Sequence, residues 1–150
     1  MKVFGGLDEL VSGQGSQLGP TEWMEITQER VNVFADATDD HQWIHVDADK
    51  AAAGPFGGTI AHGLLTLALV PHFSHQLYSV KNISLAVNYG YDKVRFINPV
   101  KVGARIRARA ELTAVKQLEG AAQATMTVTV EIEGVDKPAA VVEQIIRYIA

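Results

Sequence analysis

The chain has 150 residues, 47% of them hydrophobic and 20% charged, with 13 Lys and Arg against 17 Asp and Glu for a formal net charge of −4. That size predicts one domain over residues 1–150 with one substantial core, and the composition excludes a disordered chain. The acidic balance argues against wrapping nucleic acid, and the absence of an apolar run of about 18 residues argues against a membrane span. Zero cysteines exclude disulfides, thiol nucleophiles and Cys-ligated zinc. Met1 to Gly6 lacks the apolar centre of a secretory signal, so a cytoplasmic location is expected.

In chain order, Glu22 to Ile26 predicts a short strand, and Thr27 can cap a helix running through Ala37. The segment Asp36 to Asp49, rich in Asp and carrying His41 and His45, has few periodic apolar positions and is expected to be a loop. Asp40 and His45 are five residues apart, about 140° beyond one helical turn, so a loop can bring them together where a helix could not. Gly54-Pro55-Phe56-Gly57-Gly58 is a breaker cluster, after which Thr59 can cap a helix beginning at Ile60. Ile60, Ala61, Leu64, Leu65, Leu67, Ala68, Leu69 and Val70 are apolar around nearly the whole circumference, which predicts a buried helix. Pro71 should end or kink it, leaving Ser74 to Asn82 as a frayed exit.

The second half is strand-like. Ile106, Ala108, Ala110 and Leu112 alternate with Arg105, Arg107, Arg109 and Glu111, and Met126, Val128, Val130 and Ile132 alternate with polar neighbours. Period-two patterning of this kind predicts long antiparallel strands with one wet face. A hairpin near Glu119-Gly120 would set Arg105 opposite Glu133 and Arg107 opposite Glu131. Leu85, Val87, Tyr89 and Tyr91 also alternate, but the phase slips at Val94 and Phe96, which predicts a β-bulge near Gly90. Ala139 to Ile149 is a final apolar strand. One strand, a buried helix and four long strands make an α+β hot-dog fold, a curved antiparallel sheet wrapped around a central helix.

These residues resemble the MaoC-like (R)-specific enoyl-CoA hydratases. That family's signature is an aromatic residue, then Gly-Asp-x-Asn-Pro-x-His, then a small residue six positions after the histidine. Phe34, Asp40, Ile44, His45 and Ala51 match it, whereas Asp39, Gln42 and Trp43 replace its Gly, Asn and Pro. The resemblance continues through Ile60-Ala61-His62-Gly63 and Lys93 to Val100, covering roughly Phe34 to Gly103. It implies reversible hydration of a trans-2-enoyl-CoA to a (3R)-3-hydroxyacyl-CoA within a homodimer. The acyl-CoA thioester is then the substrate, and no metal or other cofactor is expected.

The residue chemistry agrees with that implication. Water is a poor nucleophile, so a base must take its proton while an acid protonates the adjacent carbon. His45 and Asp40 can divide those tasks in either order. The amide of Gly63 can meet the negative charge that builds on the thioester oxygen, and the missing Cβ lets the substrate approach. Phe96 would sit near the acyl chain by resemblance, although a phenylalanine is more often core. His62 reads as packing or bonding locally rather than reacting, and His41, His72 and His75 as surface or helix-end histidines. The Arg105, Arg107 and Arg109 stripe suits a wet strand face paired with glutamates better than a coenzyme phosphate site.

Rival readings are an acyl-carrier-protein dehydratase, a hot-dog thioesterase, a non-catalytic hot-dog subunit and a metalloprotease. The last takes the histidine spacing of His41 to His45 as H-E-x-x-H, but Gln42 stands where the glutamate belongs.

Overall fold

In the computed structural model, which describes residues 1–150, short segments and helices fill the first half and sheet the second. The elements are β1 (Lys2–Phe4), α1 (Leu7–Ser12), β2 (Gln17–Leu18), β3 (Met24–Glu25), α2 (Gln28–Thr38), α3 (Trp43–Val46), α4 (Ala48–Ala52), α5 (Gly63–Ala68), α6 (Val70–Leu77), β4 (Tyr78–Val80), β5 (Leu85–Phe96), β6 (Arg105–Leu118), β7 (Ala121–Ile132) and β8 (Ala140–Ile149). The main sheet has the order β2-β6-β7-β8-β5, with β3 also pairing β6, all antiparallel. This is the expected α+β hot-dog fold.

Alternation decides which face of the sheet is dry. Along β7 every second residue from Ala122 to Ile132 is buried and the residues between them are only partly covered. The inner face of β6 carries Ile106, Ala108, Ala110 and Leu112, all buried. Alanines there leave room for a helix to lie close, and α6 fills that room with Val70, Phe73 and Leu77, each at most 3% exposed.

The predicted hairpin register is observed, with Arg107 opposite Glu131 and Ile106 opposite Ile132. Arg105 reaches Glu133 at 3.2 Å, while Arg107 and Arg109 hold the two oxygens of Glu131 at 2.6 and 2.9 Å. Burial pushes the Glu131 pKa upward, but the two guanidinium bonds outweigh it and hold the carboxyl below its ordinary range. The slip in β5 is also present, as register shifts against β8 between Asn88 and Gly90 and between Tyr91 and Lys93.

Four expectations are corrected. The central helix starts at Gly63, not Ile60, because the backbone before it is taken by other partners: Ile60 bridges Lys101, and the Ala61 N–H donates to the Val100 carbonyl at 2.8 Å. Thr59 is therefore no cap, and its hydroxyl donates to Gln28 Oε1 at 2.6 Å. The helix breaks at Leu69 and resumes as α6 with Pro71 in its first turn, where a missing N–H costs nothing. Residues 74 to 80 do not fray, because α6 runs to Leu77 and β4 pairs in parallel with β1. Nor is the helix covered all round, since Leu64 is 58% exposed. Finally, the Asp36 to Asp49 segment contains α3 and the start of α4, whose N-cap Asp47 accepts from the Lys50 N–H at 3.0 Å.

Phe73 is fully buried, so Phe73→Ala should lower unfolding free energy by about 3–5 kcal/mol in urea titration. Val33 is 62% exposed on α2, and Val33→Ala should stay within about 0.5 kcal/mol. Equal costs at the two positions would mean that Phe73 is not part of the core.

Candidate active site

Asp40 follows directly on the end of α2. The capping residue Asp39 has φ 57°, a left-handed conformation that glycine adopts freely and Asp tolerates better than most residues. The turn therefore survives the replacement of glycine at this position. Position 43 is the first residue of α3, where a proline would fit, and Trp43 fills it instead. Its ring packs so close to Gly54 that a Cβ there would lie 2.9 Å from it. Lys50 Nζ lies 4.8 Å from the centre of the Trp43 ring. The Asp40 side chain is 48% exposed, and its Oδ1 lies 3.4 Å from the Gln42 N–H.

His45 sits on α3 and is 6% exposed. Its Nδ1 lies 2.7 Å from the Ile60 carbonyl, which can only accept, so Nδ1 carries the proton and Nε2 presents a lone pair. Burial pushes its pKa below the ordinary imidazole value, the Ile60 bond opposes that, and His62 adds to the lowering. The base form is thereby favoured. Gln28 fixes the other side of the same residue, since its Nε2 donates to the His45 carbonyl at 2.7 Å. No local sequence pattern marks Gln28 for this task.

His62 both packs and bonds at this site. Its ring stacks on that of His45 with centroids 3.8 Å apart and an interplanar angle of 25°. Its Nε2 donates to the backbone carbonyl of Asp40 at 2.9 Å, and its buried Nδ1 has no partner. One side chain thus braces both ends of the Asp40 to His45 loop. Asp40, His45 and His62 offer ligand-type atoms within 4.8 Å of one another. The bond from His62 Nε2 to the Asp40 carbonyl uses one of that ring's two nitrogens and leaves Nδ1 with its lone pair. His41 points away to Asp36 at 2.8 Å and precedes α3, so it shares no helix face with His45.

Gly63 is the first residue of α5 and lines a pocket of about 270 Å³ with His45, Ile60, Thr66 and Phe96. Phe96 is 48% exposed, a pocket wall rather than core. The sequence candidates His45, Gly63 and Phe96 therefore converge, with the Asp40 carboxylate beside them. His72 and His75 are exposed on α6, as expected.

Comparisons with known proteins give the family and the fold. The family described as MaoC like domain matches residues 11–135. The chain is 56% identical over 151 residues to a 3-hydroxyacyl-thioester dehydratase Z of Mycobacterium tuberculosis, covering 100% of both chains. It is 47% identical over 137 residues to Nodulation protein N of Rhizobium meliloti, covering 89% of this chain and 84% of that one. In fold it is similar to an (R)-hydratase from A. caviae involved in PHA biosynthesis, with a TM-score of 0.71, 24% identity and coverage of 89% and 94%.

A Cβ at Gly63 would lie 2.8 Å from the Phe96 ring, so one of the two must move. The half-exposed ring is free to do so, and a crystal structure of Gly63→Ala should show Phe96 swung towards solvent with the fold retained. An unmoved ring would mean that Gly63 is not held against it.

Proposed function

The chain belongs to the MaoC-like dehydratase family of hydro-lyases, and we propose that it reversibly hydrates a trans-2-enoyl-CoA to a (3R)-3-hydroxyacyl-CoA. The observation that carries this reading is the buried His45, proton-fixed on Nδ1 and open at Nε2, beside the Asp40 carboxylate. In the hydration direction the pair takes one proton from a water held between them. The resulting hydroxide adds to C3, and the pair delivers one proton to C2. The Gly63 amide meets the charge gathering on the thioester oxygen. Because α5 has only six residues, the local N–H matters more than any helix dipole. His62 positions both partners without itself reacting, and Phe96 flanks the acyl group. No metal or cofactor enters this scheme, and a coenzyme A thioester substrate fits a cytoplasmic location.

We also infer a homodimer formed through β5. This edge strand exposes Leu85, Val87 and Tyr89, each at least 39% exposed, and unpaired edges of that kind call for cover.

Asp40→Asn and His45→Gln should each lower turnover of crotonyl-CoA by about 10²–10⁴-fold with the fold retained, followed by thioester absorbance and chiral analysis of the product. Wild-type turnover by either variant would remove that residue from the mechanism. Dialysis of the wild type against a chelator should leave activity intact, and loss restored by zinc would favour a ligand role instead. A parallel assay with crotonyl-acyl carrier protein separates the coenzyme from the carrier-protein substrate.

The lowered His45 pKa fixes a pH dependence. Between its folded pKa and the ordinary 6.5, the unfolded chain binds the proton and the folded one does not, so stability falls as pH drops through that window. Above 6.5 both states are neutral and the contribution vanishes. The acid limb of kcat/KM should therefore lie below pH 6.5, and His45→Gln should lose this component of acid destabilisation. An acid limb above 6.5 would contradict the geometry.

A further inference from the structure

A second cavity of about 380 Å³ lies at the far end of the same helix, between α6 and strands β5 and β8. Thr66 lines the His45 pocket and Ser74 this one. Thr66 is on α5 and Ser74 on α6, on either side of the break at Leu69, with the fully buried Val70 between them. The two cavities thus adjoin successive parts of the α5–α6 segment.

This second chamber is polar where the fold predicts hydrocarbon. Along the inward face of β8, Ala140, Val142, Ile146 and Tyr148 are buried, and Gln144 among them is 1% exposed. A buried amide needs partners, and Gln144 has only part of its capacity filled: its Nε2 donates to Asn88 Oδ1 at 2.8 Å, and Ser74 Oγ lies 3.5 Å from its Oε1. The Ser79 hydroxyl is buried with no partner. The Tyr78 and Tyr148 hydroxyls are 2.6 Å apart, so one donates to the other and the acceptor keeps a proton to spare. Burial raises both phenols, Tyr78 to about 12, which keeps them neutral donors at ordinary pH. Three spare donors thus accompany apolar walls from Pro71, Ile83 and Ile146. The lining includes no Lys, Arg, Asp or Glu, and its one other titratable group is the exposed His75. A carboxylate or ammonium would find no counter-charge there.

We propose that this chamber binds a neutral, oxygen-bearing hydrocarbon group, a hydroxyl or ketone on an otherwise apolar skeleton, held by Gln144, Ser79 and the Tyr78–Tyr148 pair. Such a group can be the far end of the acyl chain being hydrated, which deepens the thioester reading above and rests on it, or a separate alcohol or ketone. The hydrogen-bonding chemistry is the same for both.

The test compares two trans-2-enoyl-CoA substrates of equal length, one with a plain alkyl tail and one with a hydroxyl or ketone near its end. Wild type should prefer the oxygenated tail by roughly fivefold or more in kcat/KM, as one satisfied hydrogen bond provides. The ratio should fall towards one in Gln144→Leu and in the milder Ser79→Ala and Tyr148→Phe, with folding checked by circular dichroism. A second arm titrates wild type and Gln144→Leu with a free medium-chain alcohol and ketone, read by calorimetry. Binding that Gln144→Leu abolishes, without a tail preference, identifies the separate molecule as the occupant. No tail preference together with no binding of either free compound overturns the proposal, as does a tail preference that all three variants retain or binding that Gln144→Leu retains. Failure of wild type to hydrate crotonyl-CoA would instead strike the thioester reading, while the binding arm still decides the chamber.

Discussion

The peptide of Ile60 is the constraint on which the site depends. Its N–H donates to the Ile44 carbonyl at 3.0 Å, its residue bridges Lys101, and its carbonyl takes the proton of His45 Nδ1 at 2.7 Å. One residue's backbone therefore ties α3 to the segment around Lys101 and sets the tautomer of the histidine. Because it is occupied in this way it cannot join a helix, and the helix is delayed to Gly63. The delay places the first amide of α5 in the same pocket as His45.

Around that peptide, polar side chains do the bracing that an apolar core cannot. Gln28 joins α2 to the His45 carbonyl and to Thr59, and His62 joins the start of α5 to the Asp40 carbonyl. Each is a directional bond between segments distant in sequence. Positioning of this kind holds the proposed pair, Asp40 and His45, at fixed separation while Asp40 stays open to water.

Much of the sheet was legible because strand patterning is local and has a period of two. The Arg107–Glu131 register and the slip in β5 both follow from which neighbours share a face. The start of the central helix was not legible, since Thr59 has the chemistry of a cap and only the distant Lys101 and Val100 divert the chain after it. Asp40, His45 and Gly63 could be chosen from motif spacing and residue chemistry, and Phe96 from the family resemblance alone. The place of His62 could not, because stacking on His45 depends on α3 meeting the start of α5 across 17 positions of sequence. Gln28 and Gln144 were equally hidden, one on a helix surface and one interrupting an apolar strand. A glutamine inside a run of Val and Ile is the signal that could have singled out the latter.

The two register shifts in β5 bear on how an assembly would stop growing. A flat edge offers the same hydrogen-bonding groups at every step and can be extended by any chain that arrives. Bulges displace donors and acceptors at two points and add twist, so only a few alignments of a second strand can satisfy the remainder. An antiparallel contact between two copies of β5 across a two-fold axis would use the same irregularity on both sides and consume both edges at once. The imperfection that interrupts the ladder is thus a length limit, favouring a closed pair over a fibril.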